Sequence, residues 1–251
     1  MTQSFSKDKL KLRFEKSLST YDENAIVQNE MADYLLKNLS KYAGLSFAKI
    51  LELGAGTGLM TRKMLGNITF EEFYANDIVE KSEEYINKIN EKIKFIAGDI
   101  EQIEFPSNLD LIIANAVFQW TKDFPALVAK LASCLKPDGI VAYTSFGPDN
   151  LLEINKILNI SLPYYNFAEE KQILSKHFEI LFCENCRIEL KYNTPIDILR
   201  HLKNSGVNCL GSGSWTKSDL KSFDESYRAL FKDSESLVLT YNPTYFVLKR
   251  K

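Results

Sequence analysis

Two hydrophobic periods alternate along the chain. From Lys7 to Leu18 and from Glu23 to Leu39 the apolar positions recur at helical spacing; Ile26, Met31, Leu35 and Leu39 fall near a 3.6-residue repeat. Lys49 to Leu53 is a short apolar run that enters a glycine loop and a short helix, Leu59 to Leu65. Glu72 to Asn76 precedes a charged helix from Glu80 to Asn90, and the strands Ile93 to Ala97 and Leu109 to Ala114 follow. A helix from Phe124 to Leu135, a Lys136-Pro137-Asp138-Gly139 turn, a strand from Gly139 to Phe146 and a helix from Leu151 to Ile160 complete the alternation. Continuously apolar strands between helices predict an α/β fold with a doubly wound, mostly parallel sheet covered on both faces.

The last third changes character. Phe178 to Tyr192 and Leu237 to Leu248 are long strand candidates, separated by helical stretches at Ile196 to Lys203 and Lys217 to Phe231. This pattern predicts an antiparallel hairpin at the sheet edge, with a helical insert between its arms lying over the mouth of the site. No repeat or low-complexity linker interrupts the chain, so one domain is expected. Its parts are an N-terminal helical lid (residues 1–45), a ligand-binding core (46–192), a helical substrate insert (193–236) and the last strand (237–251).

Composition narrows the partners. The 251 residues are 45% hydrophobic and 25% charged, enough to bury a core without disulfides or metals, and the net charge of −2 disfavours coating nucleic acid or anionic membrane. Apolar runs such as Leu111-Ile112-Ile113-Ala114, broken by Asn115, fall far short of the ~18 residues that span a bilayer. The first residues carry no apolar stretch of signal-peptide type. Cys183 and Cys186 lie three apart in an apparent strand and point to opposite faces, and His177 and His201 are the only histidines, so no metal site is expected. A reduced, cytoplasmic protein with buried thiols is the expectation.

The chemistry concentrates at Leu51-Glu52-Leu53-Gly54-Ala55-Gly56-Thr57-Gly58. A strand entering three glycines at alternate positions and then a helix brings a ligand against the main chain at the carboxyl end of the sheet. The third glycine comes one place too early for the dinucleotide fingerprint. Glu52, just before the loop, opposes a pyrophosphate and suits a cationic or amine-bearing ligand. Asp77 ends the second strand about twenty residues after the first glycine, the spacing of a ribose-binding carboxylate. Asp99 and Ile100 end the third, placed to meet a base ring.

These residues, from about Ile50 to Phe146, resemble the class I S-adenosylmethionine-dependent methyltransferases. The resemblance implies a seven-stranded Rossmann-like sheet with its last strand antiparallel, and S-adenosyl-L-methionine as cofactor. It implies that Gly54, Gly56 and Gly58 pack against the methionine part, Asp77 binds the ribose and Asp99 the adenine amino group. Ile78 and Ile100 would sandwich the base, and Asn115 would line the methyl-donor side.

Two further elements concern the acceptor. Tyr21 and Gln28 are seven apart, about two turns at ~3.6 residues per turn, and share a face if one helix carries both. Gln119-Trp120 follows the fourth strand, and Trp is a donor only. Both elements resemble methyltransferases of small carboxylic acids, in which Gln and Trp hold the carboxylate and Tyr closes over the cofactor. Arg13-Phe14, Tyr21-Asp22, Gln28, Gly98-Asp99-Ile100-Glu101, Gln119-Trp120, Phe146-Gly147-Pro148 and Arg200-His201-Leu202-Lys203, running into Gly206-Val207-Asn208, are similar to the malonyl-acyl carrier protein O-methyltransferase family of biotin synthesis. Asn150 stands where that family usually has Thr, and Asp138 where it usually has Gly.

This resemblance implies Gln28, Trp120 and Tyr21 as catalytic residues, Arg200 as a substrate guide, and an acyl carrier protein bearing a malonyl thioester as partner. Carriers are acidic, so Lys7, Lys9, Lys11, Arg13 and Lys16 form a candidate docking stripe. An enzyme methylating a free acid such as an aconitate, or a non-catalytic methyltransferase-like partner subunit, would use the same core.

Overall fold

The computed structural model describes residues 6–206, 215–233 and 236–251; Val207 and Asn208 of the last motif lie outside them. Two helices open the chain, α1 (Lys7–Asn24) and α2 (Ile26–Ala43). The alternating core runs β1 (Lys49–Leu53), α3 (Leu59–Leu65), β2 (Glu72–Asp77), α4 (Ser82–Ile89), β3 (Lys94–Ala97) and β4 (Leu109–Asn115). A single 3₁₀ turn at Phe118–Trp120 leads to α5 (Phe124–Cys134), β5 (Leu135–Phe146), α6 (Leu152–Leu158), α7 (Phe167–Leu174) and β6 (Phe178–Asn185). The remainder is β7 (Ile188–Tyr192), α8 (Pro195–Asn204), α9 (Lys217–Phe231), β8 (Lys232–Asp233), β9 (Ser236–Tyr241) and β10 (Pro243–Arg250).

Seven strands form the main sheet in the order β3-β2-β1-β4-β5-β10-β6, the first five parallel and β10 antiparallel to both neighbours. The expected fold is present, with the antiparallel strand slotted between β5 and β6. Successive residues serve opposite faces: Ile50, Leu111, Ile113 and Val247 pack in one core, Leu51, Ile112, Phe246 and Leu248 in the other. A third cluster, built on Val27, Met31, Tyr227 and Leu239, lies under the insert. Sheet order reverses between β1 and β4, and at such a switch point the strand ends leave a crevice.

Three expectations are corrected. The two long strand candidates each split in two. Their inner halves, β7 and β9, pair with each other, and β9 also pairs with β8, in a second, three-stranded sheet. Asn242 fixes the corner: its side-chain amide donates to the Cys186 carbonyl at 2.8 Å, and its own carbonyl accepts from the Gly147 amide at 2.8 Å. Second, the Lys136-Pro137-Asp138-Gly139 turn is a bulge inside β5. Leu109 pairs with Leu135 and Leu111 with Ile140, and Asp138 takes a left-handed φ of 63° that Asp tolerates. Third, Cys183 and Cys186 are half-buried free thiols rather than buried ones.

Candidate functional site

The C-terminal ends of β1, β2, β3 and β4 open into a cleft of about 990 Å³, roofed by α1. Lys7, Leu10, Phe14, Ser17, Leu18 and Tyr21, one stripe at helical spacing, supply the roof. Gly54, Gly56, Asp77, Ile78, Asp99, Ile100 and Asn115 from the strand ends line the floor and walls, with Trp120 beside them. Of the residues expected to hold the cofactor, only Glu52 and Gly58 do not line this cleft.

Gly54 and Gly58 answer to packing. Both have left-handed φ, 69° and 81°, and a Cβ would strike Val117 at Gly54 and Ile89 at Gly58. Gly56 (φ 54°) differs: its nearest neighbour would be Asp77 Oδ2 at 4.0 Å, which leaves open the side from which a ligand would touch the backbone. Asp77 braces the loop, its Oδ2 accepting from the Gly56 amide at 2.7 Å and its Oδ1 from the Val79 amide at 2.8 Å. Glu52 lies below, where its Oε2 accepts from the Thr61 hydroxyl at 2.6 Å while Oε1 is buried without a partner. Burial pushes the Glu52 carboxyl up to about 7 and the Asp77 carboxyl up to about 6, each backbone or hydroxyl donor pulling back only in part. Two buried carboxyls with no cation paired to them make this strand end fit a positively charged ligand such as a sulfonium or ammonium group.

Two expected residues have further attachments. Asn115 donates from Nδ2 to the Gln28 carbonyl at 2.9 Å and accepts at Oδ1 from the Thr144 hydroxyl at 2.7 Å, tying β4 to α2 and β5. Asp99 faces Lys7, whose Nζ lies 2.6 Å from both carboxylate oxygens and also contacts Glu101. Lys7 is therefore turned into the cleft and leaves the docking stripe. Lys11 is spoken for too, by Glu80 at 3.0 Å. At its other end α1 is held by Asp22, which accepts from the Thr57 hydroxyl and pairs with Arg62 at 2.5 Å.

A second cavity of about 360 Å³ adjoins the first and shares Phe14, Tyr21, Ala116 and Trp120 with it. Gln28 lines this one, 2% exposed, its carboxamide oxygen buried without a hydrogen-bond partner. Tyr21 and Gln28 meet here, yet not along one helix. The chain breaks at Ala25 (ψ 47°), beside which the Asn24 side-chain amide donates to the Thr20 carbonyl at 2.7 Å. The Tyr21 hydroxyl is pushed up by burial and by Asp22 and Asp77, so it stays neutral.

Sequence reading missed other wall residues: Asn150, Tyr164, Ser205 and Tyr241. Asn150 donates to the Tyr164 hydroxyl at 3.0 Å, setting that ring, and is the position where the resembled family usually has Thr. Phe14 was legible as a motif residue but not as a wall; its ring meets Trp120 edge-on at 5.7 Å. His201 is buried against the Tyr241 hydroxyl at 2.8 Å, and burial lowers it to about 4, so it is neutral. The insert borders the second cavity through Ser205, just past α8. Arg200 lies outside both cavities, its side chain 64% exposed and paired with Asp197 at 2.7 Å. Among the described residues no group of three or more His, Cys, Asp or Glu is placed to hold a metal ion, and no helix is long and apolar enough to cross a membrane.

Known proteins match this arrangement. Residues 51–143 match the methyltransferase domain family. The fold is that of the Bacillus subtilis YcgJ protein (TM-score 0.59, 15% identity, 86% of this chain and 97% of that one). It is also that of the N-methyltransferase NodS of Bradyrhizobium japonicum, solved with S-adenosyl-L-homocysteine (TM-score 0.54, 13% identity, 92% and 98%). Two malonyl-[acyl-carrier protein] O-methyltransferases align almost end to end. That of Calditerrivibrio nitroreducens is 37% identical over 96% of both chains, and that of Chlorobium luteolum 35% identical over 95% of this chain and 94% of its own. The chain belongs to the malonyl-acyl carrier protein O-methyltransferase family of S-adenosylmethionine-dependent methyltransferases.

Proposed function

We propose that this protein esterifies the free carboxylate of a malonyl thioester carried by an acyl carrier protein, an early step of biotin synthesis in the cytoplasm. The observation that carries this reading is the meeting of the two cavities at Tyr21 and Trp120, with Gln28 and Trp120 both lining the smaller one. Methylation of a carboxylate requires a donor site and an anion site in line, and two adjoining cavities support that reading.

S-adenosylmethionine, bound at the strand ends, supplies an electrophilic methyl on a cationic sulfur. In this reading the Gly56 backbone and the Glu52 and Asp77 carboxyls favour that charge, Gly54 and Gly58 hold the loop's shape, and Asn115 fixes the wall. Asp77 takes the ribose, Asp99 the adenine amino group, and Ile78 and Ile100 the ring faces. Gln28 and Trp120 are neutral donors that hold the acceptor carboxylate without locking it into a salt bridge. That carboxylate is ionised at neutral pH, given a reference value near ~4, so the protein needs no general base. The neutral, buried His201 is consistent with this. Tyr21, Phe14 and the rest of the α1 stripe exclude water, so the remaining contribution is alignment. Arg200, outside both cavities, acts on the approaching substrate rather than on methyl transfer.

The test is transfer of labelled methyl from S-adenosylmethionine to malonyl-carrier protein, malonyl-coenzyme A and free diacids. An alkali-labile label on the malonyl thioesters is expected; label only on a free diacid such as an aconitate overturns the reading.

A further inference from the structure

A narrow cleft, open to solvent, lies beyond the acceptor pocket, and the two share Gln119, Phe146 and Tyr164 as a common wall. Its lining mixes aromatic rings with the polar groups of Thr121, Ser145 and Glu170. It reaches the surface beside Tyr165, which is 38% exposed. Nothing in the proposed methyl transfer uses it. Glu170 is the telling residue: only 5% exposed, it accepts the Tyr143 hydroxyl at 2.9 Å and has no cation paired to it. Burial pushes its carboxyl up to about 7 against the pull of the Tyr143 and Thr244 hydroxyls, which leaves a group able to exchange a hydrogen bond with an arriving amide. The Ser145 hydroxyl lies 3.5 Å from Gln119 Oε1, a marginal bond that leaves both oxygens available to a ligand's amide, while Gln119 Nε2 donates to the Ala116 carbonyl at 2.7 Å.

We infer that this narrow cleft holds the amide-bearing, pantetheine-type arm of the thioester substrate, threading from the surface beside Tyr165 past Tyr164 to the acceptor pocket. The inference rests on the malonyl-thioester reading above. An arm of this kind alternates apolar links with amide and hydroxyl groups, which matches rings interspersed with Thr121, Ser145 and Glu170. It would arrive either on a carrier protein or as coenzyme A, and the chemistry of the cleft is the same for both. Tyr164, set by Asn150, then stands between the thioester end and the arm, so the choice of Asn at position 150 shapes the passage.

The experiment compares malonyl-carrier protein, malonyl-coenzyme A, malonyl-pantetheine and a malonyl thioester of ethanethiol, which share the reacting carboxylate and differ in the arm. In the unaltered protein kcat/KM for malonyl-pantetheine should exceed that for the short thioester at least tenfold. Thr121→Trp, which plugs the partly exposed outer end, should cut that ratio at least tenfold, chiefly through KM, on the carrier and coenzyme A substrates alike. Glu170→Gln, the gentler change, should cut it about three- to fivefold, near the worth of one hydrogen bond. Cofactor titration by calorimetry reports whether each variant is folded. A ratio near one in the unaltered protein, or an unmoved ratio in both variants, overturns the arm path while leaving carboxyl methylation standing. Loss on carrier substrate alone would move the contact from the arm to the carrier surface and also overturn it. If the unaltered protein methylates no thioester, the underlying reading fails and the arm path with it.

Discussion

The two cavities that meet at Tyr21 and Trp120 are made of different material. The larger is floored by strand ends and glycine backbone: Gly54 and Gly56 after β1, Asp77 at the end of β2, and Asp99 just past β3. The smaller is walled by side chains from elements far apart in the chain, among them Gln28 on α2, Asn150 after β5, Ser205 after α8 and Tyr241 on β9. In the proposed reading, backbone geometry shared by a sheet recognises the cofactor, and side chains borne on separate elements set the acceptor. Damage to the first region should therefore show as lost fold or lost cofactor, and damage to the second as lost turnover.

The sharpest test of that division is Gly54→Ala. The new Cβ strikes Val117, a side chain stiff at χ1, at a left-handed φ, so a loss of about 2–4 kcal/mol in stability is expected from overpacking and strain. Chemical denaturation measures it; a stability unchanged within error would dissolve the contrast. Gln28→Ala should instead lower kcat about a hundredfold, the scale of a small misplacement of the reacting oxygen, with cofactor affinity held within twofold in calorimetry. A weaker cofactor with unchanged kcat would reverse the assignment of the two regions.

Burial of Glu52 and Asp77 adds a pH signature to the cofactor side. Both titrate near ~4 when unfolded but at about 7 and about 6 when folded, so the folded state holds extra protons across that window. The contribution of the pair to stability is thus largest at acidic pH and is lost as pH rises toward 7. Affinity for a cationic cofactor should run the other way, gaining several-fold from pH 5.5 to 8. Melting curves of the unaltered protein and Glu52→Gln, with and without cofactor, check both signs, since the substitution should flatten each. The smallest effect belongs to Arg200→Ala. An exposed pair with Asp197 is worth at most ~0.5 kcal/mol, so the fold should not notice, and KM should rise less than threefold with kcat intact.

The legible parts of the molecule are those where local sequence and final structure obey one constraint. Apolar runs such as Lys49–Leu53 had nowhere to go but a sheet covered on both faces, and the positive φ at Gly54 and Gly58 admits few residues besides glycine. The acceptor side obeys no such local constraint. The break at Ala25 contains neither Gly nor Pro to mark it. The split of Leu237 to Leu248 turns on one residue, Asn242, whose corner is defined by partners at Gly147 and Cys186 that lie far away in sequence. Lys7 read as one of five surface cations because its partners, Asp99 and Glu101, are ninety residues distant. Glu52 gave the right charge and the wrong contact, lying beneath the loop rather than in the cleft.

The place of β10 has a consequence for how the molecule comes into being. It fills the gap between β5 and β6, with Phe246, Val247 and Leu248 fully buried, although both neighbours are synthesised well before it. Until it arrives, β5 and β6 present unpaired edges to the solvent and to other nascent chains, the situation that invites intermolecular strand pairing. Closure of the sheet is therefore a late, long-range event, dependent on a segment that contributes no side chain to either cavity.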